Sequence, residues 1–215
     1  MSSFLKKCFV ATLTALPLFS AEIWRVDEAE MNAYESIGSM VEFKMGYFIF
    51  GDSTMRKIYD KGGLDIQLSG SFLLKNWFKR YNLELYSSVE YFERSGRSIG
   101  GDQKTSIWAL PFSLGLKPVF AMNSKTQYYF ALGPRYFYLH QHNHSDYVSK
   151  NKGHDGLGVF VNTGFNFNPH RRVIIDLFGE YSFMQLRIHS SKENVYGKKR
   201  QVGGFTFGGG VGYHL

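Results

Sequence analysis

The 215-residue chain carries 25 Lys+Arg against 18 Asp+Glu, and 17% of its residues are aromatic. That aromatic content excludes a disordered polymer, which lacks the apolar groups a core needs. Beyond residue 21 no apolar run reaches the roughly 18 to 20 residues of a membrane helix. The single cysteine, Cys8, lies before that point, so the remainder can form neither a disulfide nor a cysteine-ligated metal site.

Residues 1–21 read as a secretory signal peptide. Lys6 and Lys7 supply the positive end, Cys8 to Phe19 an apolar stretch, and Ser20 and Ala21 the small residues before cleavage. Cys8 precedes the apolar stretch, which argues against a lipoprotein anchor. Residues 22–40 are acidic, with Glu22, Asp27, Glu28 and Glu30. They are expected to form a periplasmic N-terminal segment, either as a lead-in or folded against a barrel base, with Trp24 as an interfacial anchor.

From Val41 the period is two, the signature of strands with one apolar face. Val41, Phe43, Met45, Tyr47 and Ile49 alternate with Glu42, Lys44 and Gly46. The same pattern recurs over 64–74, 81–92, 106–116, 127–138, 157–167, 172–183 and 203–215. Each segment spans about 10 to 12 residues, against about 5 to 6 for a globular strand, and matches the roughly 9 to 11 that a tilted strand needs to cross a bilayer. Linkers 51–63, 93–105, 139–156 and 184–202 are long and polar; 75–80, 117–126 and 168–171 are shorter. This alternation predicts an all-β, eight-stranded, antiparallel up-and-down transmembrane β-barrel over 41–215, with long external loops and both termini periplasmic. A secreted sandwich or lipocalin-like barrel is the alternative, and it would bury the apolar face instead.

The last strand is apolar on one face, with Phe205, Phe207, Val211, Tyr213 and Leu215, and nearly bare on the other, with Gly208, Gly210 and Gly212. No open edge is tolerated in lipid, so it must pair with the first strand. Residues 41–215 resemble the small eight-stranded bacterial outer-membrane barrels, the superfamily of the OmpA membrane domain, OmpX and OmpW. In that superfamily Phe207, Val211, Tyr213 and Leu215 correspond to the C-terminal signature read by the barrel-insertion machinery. The usual terminal Phe or Trp is here Leu215. The resemblance implies an outer membrane of a Gram-negative bacterium.

Eight strands leave an interior just wide enough for side chains. The expected inner face holds Glu42, Lys44, Asp65, Gln67, Glu84, Glu90, Arg135, Asp176 and Glu180, in which acids outnumber bases. Buried charges must be paired or wetted, so this set reads as a plugging ion-pair network, or alternatively as a narrow path favouring cations. Such a wall offers no cleft for a polysaccharide, which argues against reading its carboxylates as a glycosidase pair.

His140, His142 and His144 alternate in the third long linker and could share one side for zinc or copper, completed by Asp146, His154 or Asp155. The plain reading is a solvated loop, and no cofactor is expected. His189, Ser190, Ser191 and Glu193 superficially resemble the His-x-Ser pair and Glu of lipid A deacylases. The flanking motif is absent and the Glu is too close, so no enzyme is expected. Lys192, Lys198, Lys199 and Arg200, with Arg56, Lys57, Lys61, Arg94, Arg97 and Lys104, would gather near one rim and could meet lipopolysaccharide phosphates or an anionic host partner. Nucleic acid is not an expected partner. The reading that results is a surface-exposed anchor whose loops contact lipopolysaccharide or external partners, with a narrow porin-like channel for cations or small solutes as the alternative.

Overall fold

The computed structural model describes residues 39–59, 62–78, 81–97, 103–143, 151–170, 172–188 and 198–215. In chain order the elements are β1 (Ser39–Phe50), α1 (Ser53–Ile58), β2 (Gly62–Phe78), β3 (Tyr81–Arg97), β4 (Lys104–Ala121), β5 (Thr126–Asn143), β6 (Asn151–His170), β7 (Val173–Phe183), β8 (Gln185–Ile188), β9 (Lys198–Gln201) and β10 (Gly204–His214). Eight of the strands close into an antiparallel barrel in the order β1-β10-β7-β6-β5-β4-β3-β2, and β8 and β9 form a separate two-stranded hairpin. Every barrel strand pairs with its neighbours in sequence, apart from the β1–β10 seam, where Val41 faces Tyr213 and Phe50 faces Gly204. Among the described residues no helix is long and apolar enough to cross a membrane.

The alternation places the apolar set outside. Leu68, Leu114, Leu132 and Leu177 are 51, 53, 50 and 54% exposed, while Lys44 and Asp176 on the opposite face are fully buried. Water-soluble monomers do not expose so continuous an apolar belt. The barrel is therefore polar within and apolar without, which excludes the lipocalin-like alternative.

The strands are longer than the sequence periodicity indicates. β2 and β3 each run 17 residues, β4 and β5 18, and β6 20. The reason is that alternation is visible only where one face meets an apolar medium. Beyond that band the ladder continues with mixed side chains, Val119 and Leu139 buried among polar neighbours for example, and without regular alternation those residues read as loop. β1 likewise begins at Ser39, so Ser39 and Met40 belong to the barrel and not to the segment before it.

The short-turn end carries both the start of β1 and the end of β10. Leu215 is tied down there, its N–H donating to the Ser39 carbonyl at 2.9 Å. At the long-loop end the first connection folds over the mouth. Asp52 caps α1 by accepting from the N–H groups of Thr54 at 2.7 Å and Met55 at 3.2 Å. The helix then drives Met55 and Tyr59 into an apolar cluster with Phe50, Ile107, Phe137 and Leu139.

Candidate functional site: a tiered barrel interior

The interior is built in tiers along the barrel axis. Nearest the short turns, Lys44 of β1 lies 2.6 Å from Asp176 of β7 and 3.2 Å from Glu42 of its own strand. Lys117 of β4 stands between Glu42, at 3.9 Å, and Glu84 of β3, at 3.7 Å. The carboxylates are held by hydroxyls. Ser69 donates to Glu42 at 3.2 Å, Ser71 to Glu84 at 2.6 Å, and Tyr129 to Asp176 at 3.0 Å. The Tyr129 ring also lies under both ammonium groups, 5.3 Å from Lys44 Nζ and 4.5 Å from Lys117 Nζ, close enough for cation–π attraction.

The bare face of β10 makes this tier possible. A Cβ at Gly210 would lie 2.8 Å from Lys44 Cγ, and one at Gly212 would lie 2.8 Å from Glu42 Cγ. Glycine on the last strand clears the space that the charged side chains of the first strand occupy. Gly164 does the same for Tyr129, whose hydroxyl would stand 2.7 Å from an added Cβ.

Above an aromatic shelf of Tyr86, Ala131 and Phe160 comes the middle tier, centred on Arg135 of β5. Its Nη2 lies 2.5 Å from Glu90 of β3 and 2.5 Å from Glu180 of β7, Nη1 donates to the second Glu90 oxygen at 3.1 Å, and Nε donates to Ser113 at 2.8 Å. One planar fork thus ties four strands. Gln67 donates to Glu90 at 2.9 Å and Asn162 to Glu180 at 3.0 Å. Asp65 is buried on the long-loop side of this tier, within electrostatic reach of Arg135 and Glu180. The third tier is the apolar cluster beneath α1, in which Phe48, Phe50 and Phe92 meet with ring centroids 4.8 to 5.4 Å apart. Between the last two tiers lies a cavity of about 30 Å³.

No protein-family model matches the chain, and no curated protein matches it. Solved structures do. OprG from Pseudomonas aeruginosa superposes with a TM-score of 0.60 at 16% identity, over 83% of this chain and 96% of OprG. Neisserial surface protein A superposes with a TM-score of 0.54 at 14% identity, over 83% of this chain and 97% of its own. Ail, the attachment invasion locus protein of Yersinia pestis, in complex with the heparin analogue sucrose octasulfate, gives 0.53 at 17% identity, over 82% of this chain and 97% of Ail.

The chain has the fold of the small eight-stranded outer-membrane barrels.

Within that barrel the inward carboxylates and cations named from the sequence divide between two tiers: Glu42, Lys44, Glu84 and Asp176 below, and Asp65, Glu90, Arg135 and Glu180 above. Lys117 is the cation that sequence reading misses. It falls in the expected 117–126 linker, but β4 continues through it to Ala121 and buries it completely. Its parity gives the signal, since Phe112, Leu114 and Leu116 face outward and the odd positions between and after them face in.

Elsewhere the placement differs from a loop-based reading. His140 and His142 lie on β5 and not in a loop. Both are on the outward parity, and the His140 imidazole stacks on Trp108 with centroids 5.6 Å apart. His144 is outside the described residues. Among the described residues no group of three or more His, Cys, Asp or Glu side chains is arranged to hold a metal ion. Residues 1–38, Lys192 and the His189, Ser190, Ser191 and Glu193 group also lie outside the described residues. Lys198, Lys199 and Arg200 form most of β9, at the long-loop end. Phe207, Val211, Tyr213 and Leu215 all face outward.

Proposed function

We propose that this protein is an outer-membrane anchor of a Gram-negative bacterium. In this reading residues 1–21 are removed on export, both termini are periplasmic, and the closed barrel holds its long-loop rim against lipopolysaccharide or another anionic partner outside the cell. The observation that carries it is the filled interior: two ion-pair tiers, each with carboxylate in excess, and an apolar plug in series along one lumen. Rigid filling suits a support and opposes flow. At the rim, Arg56, Lys57, Arg97 and Lys104 are exposed, and β9 adds Lys198, Lys199 and Arg200. Such a cationic edge suits phosphate or sulfate groups, and a barrel of the same fold, Ail, has been crystallised with a heparin analogue. The outward C-terminal residues suit recognition by the barrel-insertion machinery.

Planar-bilayer recording tests the barrel half of this reading. The refolded mature chain should give no unitary current under an applied potential, although protease protection shows it inserted. Regular cation-selective steps would favour the second reading, a narrow cation path. That reading rests on the excess of acid inside: six buried carboxylates against three buried cations among the described residues.

The rim half is tested on vesicles containing lipopolysaccharide. Changing Arg56, Lys57, Arg97 and Lys104 to Ser should weaken association several-fold at low salt, with the difference shrinking as ionic strength rises. Equal binding of both chains at every salt concentration would remove the anionic-contact role.

A further inference from the structure

The charge of the middle tier does not balance. Asp65, Glu90 and Glu180 are 4%, 4% and 2% exposed, and the one cation among them is Arg135. Glu90 and Glu180 share that guanidinium. Asp65 has no Lys, Arg or His within ion-pair distance among the described residues. A buried carboxylate in such surroundings either holds a proton or takes a further positive partner.

The place for one adjoins it. The lining of the cavity of about 30 Å³ includes Asp65, Glu90, Arg135 and Ser182 together with the rings of Phe48, Phe50, Phe92 and Phe137. A water position takes roughly 10 to 15 Å³ by this measure, so two or three heavy atoms fit. Carboxylate and several phenyl rings around one small cavity is the chemistry that recognises an ammonium group: charge and hydrogen-bond acceptance from the acid, quadrupole attraction and dry contact from the rings. Gln67, two residues from Asp65 on the same inward face, is buried with a side-chain oxygen that has no donor, although it does not line the cavity. Its amide nitrogen is already committed to Glu90 and to the Tyr86 hydroxyl at 3.2 Å. A strongly hydrated metal ion would instead have to shed its water against phenyl rings.

From this juxtaposition we propose that the barrel binds a small primary ammonium group, of methylammonium size, between Asp65 and the Phe48–Phe50–Phe92 ring cluster. The site lies on the mouth side of the Arg135 tier and beneath the apolar cluster under α1, so the approach is from the long-loop end past that cluster, and the Arg135 tier bars passage onward. The inference is independent of what the rim contacts.

The test is a titration of the refolded chain in detergent micelles with methylammonium chloride, at ionic strength held constant with sodium chloride, read by ring resonances of selectively labelled phenylalanine. The expected result is a saturable shift that tetramethylammonium does not reproduce, because it is too large for the cavity. Asp65→Asn should weaken the apparent affinity at least tenfold. Phe92→Leu, which keeps every charge, should weaken it several-fold and serves as the reporter if the Asp65 variant does not fold. The idea is overturned if the wild-type chain shows no saturable shift, if sodium competes as well as methylammonium does, or if the folded variants titrate as the wild type does.

Discussion

Replacing Arg135 with Ala should cost the folded barrel about 3–5 kcal/mol, the usual penalty for stranding one side of a buried ion pair. The loss is large because Arg135 answers two carboxylates at once, Glu90 and Glu180, each 2.5 Å from the same nitrogen, and ties four strands through Ser113 as well. With total stabilities of about 5–15 kcal/mol, that single change consumes a large part of the margin. Equilibrium unfolding in urea from lipid vesicles, followed by tryptophan emission, should show the midpoint fall sharply. Arg135→Lys should fall by an intermediate amount, because an ammonium keeps the charge and loses the fork. The triple variant Arg135→Met, Glu90→Gln, Glu180→Gln should regain most of the loss, since it strands no charge. If Arg135→Ala unfolds with the wild-type midpoint, the middle tier is not the brace described above.

Much of this was legible in the sequence, and the part that was not has a physical pattern. A strand between lipid and a polar core must alternate, so Leu83 and Leu85 against Glu84, or Leu177 against Asp176, announce both the strand and the inward residue. Closure of β10 on β1 follows from the same demand, because lipid offers no partner to an open edge. Lys117 is obscured because Pro118 and the mixed residues after it blur the alternation near the strand end, although the parity of Leu114 and Leu116 still points Lys117 inward. His140 and His142 read as loop for a related reason: beyond the apolar band β5 and β6 go on pairing, His142 with Asn151 for example, with little contrast between the faces. The apolar plug was hidden differently. Phe50, Phe92 and Phe137 look like any other strand phenylalanines, and only the parity of their neighbours reveals that these three point inward. Which carboxylate meets which cation depends on stagger between strands, and periodicity carries no information about stagger.

Gly208→Val should collapse the refolded fraction. A Cβ at Gly208 would stand 2.1 Å from the Met45 carbonyl oxygen and 2.5 Å from the Gly46 Cα. Both obstacles are main-chain atoms of β1, so no rotamer change relieves them and the two strands must move apart. They form the seam that closes the barrel, with Gly46 facing Gly208 directly. Opening it leaves unpaired N–H and C=O groups in hydrocarbon, each costing several kcal/mol, well above the usual 1–3 kcal/mol of an overpacked core. The control is Gly179→Val on β7, the neighbouring strand. There the nearest atom to an added Cβ is Phe205 Cζ at 3.7 Å, an ordinary contact on the outward face. Fraction folded is read from the mobility difference between unheated and boiled samples on a denaturing gel. Gly179→Val should refold as the wild type does, whereas Gly208→Val should run almost wholly as the unfolded band. Equal yields would mean that the β1–β10 seam tolerates separation, and that the glycines of the last strand do not set its closure. The expected asymmetry separates two demands on one strand: Phe205, Phe207 and Val211 satisfy the lipid, while Gly208, Gly210 and Gly212 let β1 approach closely enough for Glu42 and Lys44 to reach across the lumen.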